Sequence, residues 1–176
     1  PLRDVAKNSA VPITQFFPTH INRTAALFED GLRFAREGGR IDFTTSTTQA
    51  LLAKGEVPAS EAVARALSAR IEPSQISLSS DANASLPEFD EQQRFIGLKP
   101  GKLDSLFKVL GECINEHKIS IEQSLRCATT SAAETLMLPR KGRLAVGADA
   151  DFIVLAEQRW QIDQVWALGN VIYQVD

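Results

Sequence analysis

The run Ile76-Ser77-Leu78-Ser79-Ser80 leads straight into Asp81, and the small, polar loop Ala82-Asn83-Ala84-Ser85 follows. A stretch of small and β-branched residues ending in a carboxylate describes a buried strand that delivers one acid to the mouth of an α/β domain. In such folds the chemistry lies beyond the carboxyl ends of the strands. Upstream, Ile13-Thr14-Gln15-Phe16-Phe17-Pro18-Thr19-His20 has the same design and also ends in a potential metal ligand. The expectation is that His20 and Asp81 face one site, of which this chain holds only a part.

The segments around these two stretches alternate in period. Leu2, Val5 and Ala6 give a short helix ending near Asn8-Ser9, and the first strand is expected over Ile13 to Phe17. Pro18 cannot donate to a sheet ladder, so pairing fades there. Asn22 is expected to cap a helix whose inner face is Ala26, Leu27, Gly31, Phe34 and Ala35, with Gly38-Gly39 ending it. Arg40 to Thr45 has the β-branched and aromatic content of a second strand. Gln49 to Ala59 reads as a loop. A helix then opens at Ser60-Glu61, buries Val63, Ala64, Leu67 and Ile71, and is closed by Pro73 before the strand at Ile76. This order of helix, strand, helix, strand, helix, strand predicts a parallel sheet with crossover helices.

After Asp81 a polar insertion reaches about Pro100, with a charge run at Glu88 to Arg94. It reads as a solvated loop or hairpin, or as a lid over the site. Helices are expected over Leu103 to Glu116, from Ser120 with Gln123 completing a capping box, and over Ser131 to Leu138 before Pro139. The remainder changes character: a turn and strand over Gly142 to Leu155, then a hairpin around Gly169-Asn170, belong to a separate β-rich unit. The opening Pro1 to Ala6 reads as a helix already inside a domain, and the end at Asp176 follows a strand-like run. Both suggest part of a longer protein.

Composition narrows the function classes. The chain has 176 residues, 44% hydrophobic and 23% charged, with net charge −3. That is a globular balance able to bury a sizeable core. There is no basic stripe of the kind nucleic acid needs, and no apolar run near the roughly 20 residues of a membrane span. The two cysteines, Cys113 and Cys127, lie among apolar neighbours in helix-like stretches. They read as buried free thiols of a reducing, cytoplasmic compartment, a zinc pair or a disulfide being the alternatives.

Four residues stand out as site candidates. His20 at a strand exit is either a structural histidine or a metal ligand. Asp81 is either a turn-maker or a metal ligand that also accepts a proton from an activated water. Arg23 stands at a helix start, where the helix dipole does not favour a cation. It is either solvated or a clamp on a substrate carboxylate. Ser85 is either a loop serine or a hydrogen-bonding partner of a ligand. No nucleophile elbow, phosphate loop or dinucleotide fingerprint is present.

Three motifs occur together and in order: Phe17-Pro18-Thr19-His20-Ile21-Asn22-Arg23, Leu78-Ser79-Ser80-Asp81-Ala82-Asn83-Ala84-Ser85, and Gly142-Arg143-Leu144-Ala145-Val146-Gly147-Ala148-Asp149-Ala150-Asp151. The last resembles the tail signature of metal-dependent amidohydrolases. The first two resemble the isoaspartyl (β-aspartyl) dipeptidase family. The resemblance implies an α/β fold, the C-terminal portion of a TIM-like (β/α)8 barrel over residues 1–138, with part of a small β-sandwich over 139–176. It implies two Zn2+ ions bridged by a carboxylated lysine and a water or hydroxide. His20 would be a zinc ligand, Asp81 a zinc ligand and proton acceptor, and Arg23 and Ser85 would hold the substrate. The reaction would be hydrolysis of β-aspartyl dipeptides by a cytoplasmic homo-oligomer.

The family's His-x-His, its bridging lysine and its further histidine have no counterpart in a chain with only two histidines. Zinc cannot be satisfied by His20 and Asp81 alone. The segment by itself is therefore expected to be inactive and its parent active. The competing readings are a cyclic-amide hydrolase, acting on a dihydropyrimidine or hydantoin, and a catalytically dead homologue serving as a scaffold.

Overall fold

The computed structural model describes residues 2–156 and 160–175. Pro1, residues 157–159 and Asp176, which fall within the expected opening helix and β-rich unit, lie outside them. The chain forms α1 (Leu2–Asn8), α2 (Ala25–Arg36), β1 (Ile41–Thr44), α3 (Gln49–Ala53), α4 (Ala59–Ser68), β2 (Ile76–Ser79), the pair β3 (Ser85–Phe89) and β4 (Phe95–Pro100), α5 (Ser105–Asn115), α6 (Ile121–Ala128), α7 (Thr130–Thr135), and the strands β5 (Phe152–Leu155), β6 (Ile162–Ala167) and β7 (Asn170–Gln174). It is an α/β structure, and the described residues form three separate sheets: parallel β1-β2, the hairpin β3-β4, and antiparallel β5-β6-β7.

β1 and β2 run in parallel register from Ile41 opposite Ile76 to Thr44 opposite Ser79. Strand periodicity divides this pair into two faces. Ile41, Phe43, Ile76 and Leu78 join Phe28 of α2 and Ala62, Val63 and Ala66 of α4 in the main apolar core. The Phe28 and Phe43 rings lie 5.7 Å apart. The opposite face is polar although buried: the Ser77 and Ser79 hydroxyls each donate to the Asp42 carboxylate at 2.6 Å. Both faces are covered, as parallel strands require.

Several local expectations are corrected. Ile13 to Phe17 is not a strand. Ile13–Gln15 is a single 3-10 turn, and the chain reaches β1 only beyond it. There the Asp42 amide donates to the Pro18 carbonyl and the Ile21 amide to the Asp42 carbonyl, both at 3.1 Å. Prolines at both ends of the stretch restrict it: Pro12 precedes the turn and Pro18 offers no donor. The parallel sheet among the described residues accordingly has two strands where three were expected.

The cap of α2 is Thr24, whose hydroxyl accepts from the Leu27 amide at 3.2 Å, and not Asn22. The inner face of α2 is Phe28, Gly31, Leu32, Phe34 and Ala35, with Leu27 turned outward. In α4 the buried residues are Ala59, Ser60, Ala62, Val63 and Ala66, so Ala64 and Leu67 lie at the flank. The expected loop at Gln49 contains α3, capped by Thr48. Ser120 caps α6 as anticipated, accepting from the Gln123 amide at 3.2 Å.

Asn22 has a different task. Its side chain is fully buried, and its oxygen accepts from the Thr44 amide at 2.9 Å. Its amide group donates to the carbonyls of Thr44 at 3.1 Å and Val57 at 3.0 Å. One side chain thus ties the turn after His20 to the end of β1 and to the entry of α4. Gly31 allows the close fit around it: a Cβ there would stand 2.2 Å from Cγ2 of Ile21.

The β5-β6-β7 sheet is joined to the helices through Trp160, which stacks on Phe107 at 4.9 Å and donates to the Phe107 carbonyl at 2.8 Å. Cys113 and Cys127 are free and buried, and burial pushes both thiols up to about 12. Among the described residues no helix is long and apolar enough to cross a membrane.

Replacing Asn22 with Ala leaves an amide and two carbonyls in the interior without partners. Each stranded group costs about 1–3 kcal/mol. Urea unfolding of Asn22→Ala is therefore expected to show a stability loss of about 3 kcal/mol or more; a loss below about 1 kcal/mol would mean that water replaces the clamp.

Candidate active site

His20 and Asp81 meet beyond the carboxyl ends of β1 and β2. His20 Nε2 lies 3.8 Å from Asp81 Oδ2. Neither residue is in an ordinary backbone conformation: φ is 59° at His20 and 51° at Asp81. The left-handed region is sparsely used by residues with a Cβ and costs on the order of 1 kcal/mol. Each is held there by neighbours. The His20 carbonyl accepts from the Arg23 amide at 3.0 Å, and the Asp81 carbonyl from the Ala84 amide at 3.1 Å. The result turns two side chains from separate segments towards each other.

His20 Nδ1 is hydrogen-bonded to the Thr44 hydroxyl at the end of β1. That contact fixes the ring and leaves Nε2 for the site. Asp81 is braced from below by the base of the hairpin. The Asn83 amide donates to the Gly101 carbonyl at 3.1 Å, and the Gly101 amide to the Ala84 carbonyl at 2.9 Å. A Cβ at Gly101 would meet the Asp81 carbonyl oxygen at 2.4 Å, so no other residue fits without moving the Asp81 loop. The insertion read as a loop, hairpin or lid is thus a hairpin whose base supports a site residue. Lys54 caps the Phe89 ring of the hairpin at 3.4 Å.

Arg23 joins the pair. Its Nη1 donates to Glu56 Oε2 at 2.8 Å and to the Ser46 carbonyl at 3.1 Å, while Nη2 stands 3.8 Å from Asp81 Oδ2. Ser46 also donates through its hydroxyl to the carbonyl of Ser80, the residue before Asp81. Asp81 therefore stands between an imidazole and a guanidinium. Ser85, the fourth candidate, is the exposed first residue of β3 and pairs with Pro100. Among the described residues no hydrogen bond joins it to His20, Arg23 or Asp81.

Two further acids belong to this neighbourhood. The Glu56 side chain is 1% exposed, and its Oε1 is buried without a hydrogen-bond partner. Burial raises its pKa, against the lowering effects of Arg23 and Thr47. Asp42 is likewise buried; desolvation raises its pKa, while Ser77, Ser79 and His20 pull it down and Asp81 pushes it up. Neither was picked out from the sequence. An acid inside the β-branched and aromatic stretch Arg40-Ile41-Asp42-Phe43 was a usable signal for Asp42. Glu56, between Gly55 and Val57-Pro58, carries no such mark.

Among the described residues no group of three or more His, Cys, Asp or Glu side chains is arranged to hold a metal ion. The site therefore offers one imidazole and one carboxylate as donors, flanked by a cation.

This chain belongs to the Amidohydrolase family, which it matches over residues 21–173. Within that superfamily it is an isoaspartyl dipeptidase-like chain. It is similar to a β-aspartyl dipeptidase from the thermophilic, keratin-degrading Fervidobacterium islandicum AW-1, solved in complex with a β-Asp-Leu dipeptide. The TM-score is 0.84 and the identity 32%, over 98% of this chain and 44% of that one. A second structure of β-aspartyl dipeptidase from the same organism gives 0.78 and 28%, over 98% and 41%. N-acetylglucosamine-6-phosphate deacetylase from Thermotoga maritima shares the fold at TM-score 0.56 and 14% identity, over 77% of this chain and 39% of that one. The chain spans less than half the length of the β-aspartyl dipeptidases it matches.

The raised pKa of Asp42 has a signed consequence. A carboxyl that holds its proton more tightly when folded contributes stability that is complete below the unfolded aspartate pKa. That stability is lost as pH rises through the folded value. The Asp42→Asn chain lacks this titration because a carboxamide does not ionise, and the new side chain can still hydrogen-bond the two serine hydroxyls. The stability of the natural chain relative to Asp42→Asn, from urea unfolding at a series of pH values, is expected to fall from the ordinary aspartate range upward. A rise would mean that the two serine bonds outweigh burial.

Proposed function

We propose that this chain is part of a zinc-dependent hydrolase that cleaves the β-aspartyl (isoaspartyl) bond of dipeptides. In this reading residues 1–138 are the C-terminal part of a TIM-like (β/α)8 barrel, and residues 139–176 are part of a small β-sandwich. The observation that carries it is the convergence of His20, Asp81 and Arg23 beyond the ends of β1 and β2, with both 3.8 Å separations measured to one oxygen, Asp81 Oδ2. The identity of 32% to an enzyme solved with β-Asp-Leu supports the substrate class.

His20 and Asp81 fit zinc as two of its donors. With Nδ1 engaged by Thr44, Nε2 of His20 and the carboxylate of Asp81, 3.8 Å apart, would be the two donors this chain gives the metal. Zinc takes about four ligands, so in this reading the others would be supplied by residues beyond the two named here. When bound, zinc lowers the pKa of a water molecule to about 7 and so supplies a nucleophile at neutral pH.

The chain's own residues do the rest. The Thr44 contact holds the imidazole in its orientation. Asp81 accepts the proton given up by the attacking water at its carboxylate and returns it to the departing amine, so that water and a β-aspartyl dipeptide become aspartate and a free amino acid. Arg23 grips a carboxylate of the dipeptide with Nη2, and Ser85, four residues beyond Asp81, hydrogen-bonds the bound substrate. The buried free thiols suit a cytoplasmic enzyme, and the family resemblance suits a homo-oligomer.

Release of leucine from β-Asp-Leu by the intact zinc-loaded protein tests this reading. Asp81→Asn is expected to lower kcat by about 100-fold or more, as loss of a general base does. Arg23→Met is expected to raise KM for the dipeptide and to leave a neutral hydantoin or dihydropyrimidine unaffected. Preferential turnover of the ring compounds would move the assignment to a cyclic-amide hydrolase. Residues 1–176 alone, given zinc, are expected to show no appreciable turnover; activity there would refute the division of the metal's ligands.

A further inference from the structure

We propose that Glu56 is a positioning residue. It fixes the guanidinium of Arg23 so that Nη2 alone faces the site, and it thereby sets the enzyme's preference for substrates with a free carboxylate. The inference rests on the reading above, in which Arg23 receives that carboxylate.

The geometry is specific. Arg23 Nη1 is held by two acceptors, Glu56 Oε2 at 2.8 Å and the Ser46 carbonyl at 3.1 Å. A guanidinium is planar, so tying one amino group at two points orients the other. That other group, Nη2, is 3.8 Å from Asp81 Oδ2, beyond hydrogen-bond length, so its donors remain for a ligand. Glu56 has no freedom of its own. Its side chain is 1% exposed, its amide donates to the Leu51 carbonyl at 3.1 Å, and the amide of Val57 donates to the Asn22 carbonyl at 2.9 Å. The backbone that carries Glu56 is thus bonded to the turn that carries His20 and Arg23.

Stability does not account for Glu56. Its carboxylate is desolvated, and among the described residues its ion pair is with Arg23 alone. A buried ion pair of this kind is often no better for folding than an apolar pair of the same volume. It does keep a cation in a defined direction at the edge of a solvent-reachable site. Arg23 is 19% exposed, against 44% for His20 and 28% for Asp81.

The test uses the intact zinc-loaded protein and three probes: β-Asp-Leu and its two carboxamide analogues, each with one carboxylate neutralised. Glu56→Met removes the acceptor, whereas Glu56→Gln keeps an oxygen that Arg23 can still reach. For β-Asp-Leu, Glu56→Met is expected to raise KM about tenfold or more, the size of a lost charge-assisted hydrogen bond, with kcat within about twofold. Glu56→Gln is expected to fall between Met and the natural residue. The analogue lacking the carboxylate that Arg23 grips is expected to be processed alike by all three proteins. An equal loss on every probe would reduce Glu56 to a folding role and overturn the inference.

Nitrogen-15 NMR of the Arg23 side chain decides the matter without turnover. Restricted guanidinium rotation in the natural protein, lost in Glu56→Met, is the expected result. Arg23 signals unchanged by the substitution overturn the inference whatever the substrate. Absence of dipeptide turnover by the natural protein instead sinks the proposed activity and leaves the Arg23 signals to decide on Glu56.

Discussion

The three hydrogen bonds of the Asn22 side chain hold the site together. A carboxamide can accept and donate at once, and Asn22 uses both capacities in the interior, on Thr44 and Val57. It stands where a strand would otherwise have joined the sheet. Among the described residues the segment before it makes two backbone bonds to β1, at Pro18 and Ile21, and the side chain extends that ladder to Thr44. His20 and Arg23 lie on either side of this anchor, which is why an irregular turn can present both with defined directions.

The second determinant is the division of the parallel pair into unlike faces. Apolar Ile41, Phe43, Ile76 and Leu78 pack against α2 and α4. Asp42, Thr44, Ser77 and Ser79 line the other side, and along it polarity continues to the strand ends where Thr44 meets His20. Left-handed backbone at His20 and Asp81 then turns the segment before α2 and the loop after β2 towards each other. Such conformations persist only where surroundings over-determine them. Here the surroundings are the Asn22 clamp on one side and the Gly101 hairpin base on the other.

Much of this was legible from the residues. The strand ending at Asp81, the crossover helices, the Ser120 cap and the turn at Gly169 follow local rules of period, capping and turn chemistry, and the structure has them. Convergence of His20 and Asp81 was expected from two strand ends; the structure has the convergence, but only Asp81 follows a strand. What escaped depends on long-range partners. Ile13 to Phe17 has strand composition, yet its flanking prolines and the demands of the site keep it out of the ladder. Asn22 looks like a helix cap from its neighbours alone. Only the fold reveals that Thr44 and Val57 claim its side chain while Thr24 takes the capping role. The register of α2 slipped for the same reason: Phe28, not Leu27, meets Phe43.

The two buried acids show how such a site is stabilised at a distance. Asp42 and Glu56 both carry a desolvation penalty, visible as raised pKa values. Each is hydrogen-bonded to the segment that carries His20 and Arg23. Asp42 bonds through its backbone to Pro18 and Ile21, flanking His20, and Glu56 bonds to Arg23. Apolar residues would fill either place at less electrostatic cost. They would also leave two serine hydroxyls and a guanidinium to find other partners. Without Glu56 that guanidinium would keep the Ser46 carbonyl on Nη1, at 3.1 Å, and the carboxylate left beside it is Asp81, 3.8 Å from Nη2. A tight Arg23–Asp81 pair would occupy the carboxylate that the proposed chemistry needs for a proton. By holding Nη1, Glu56 keeps Arg23 close enough to receive a substrate carboxylate and far enough to leave Asp81 open.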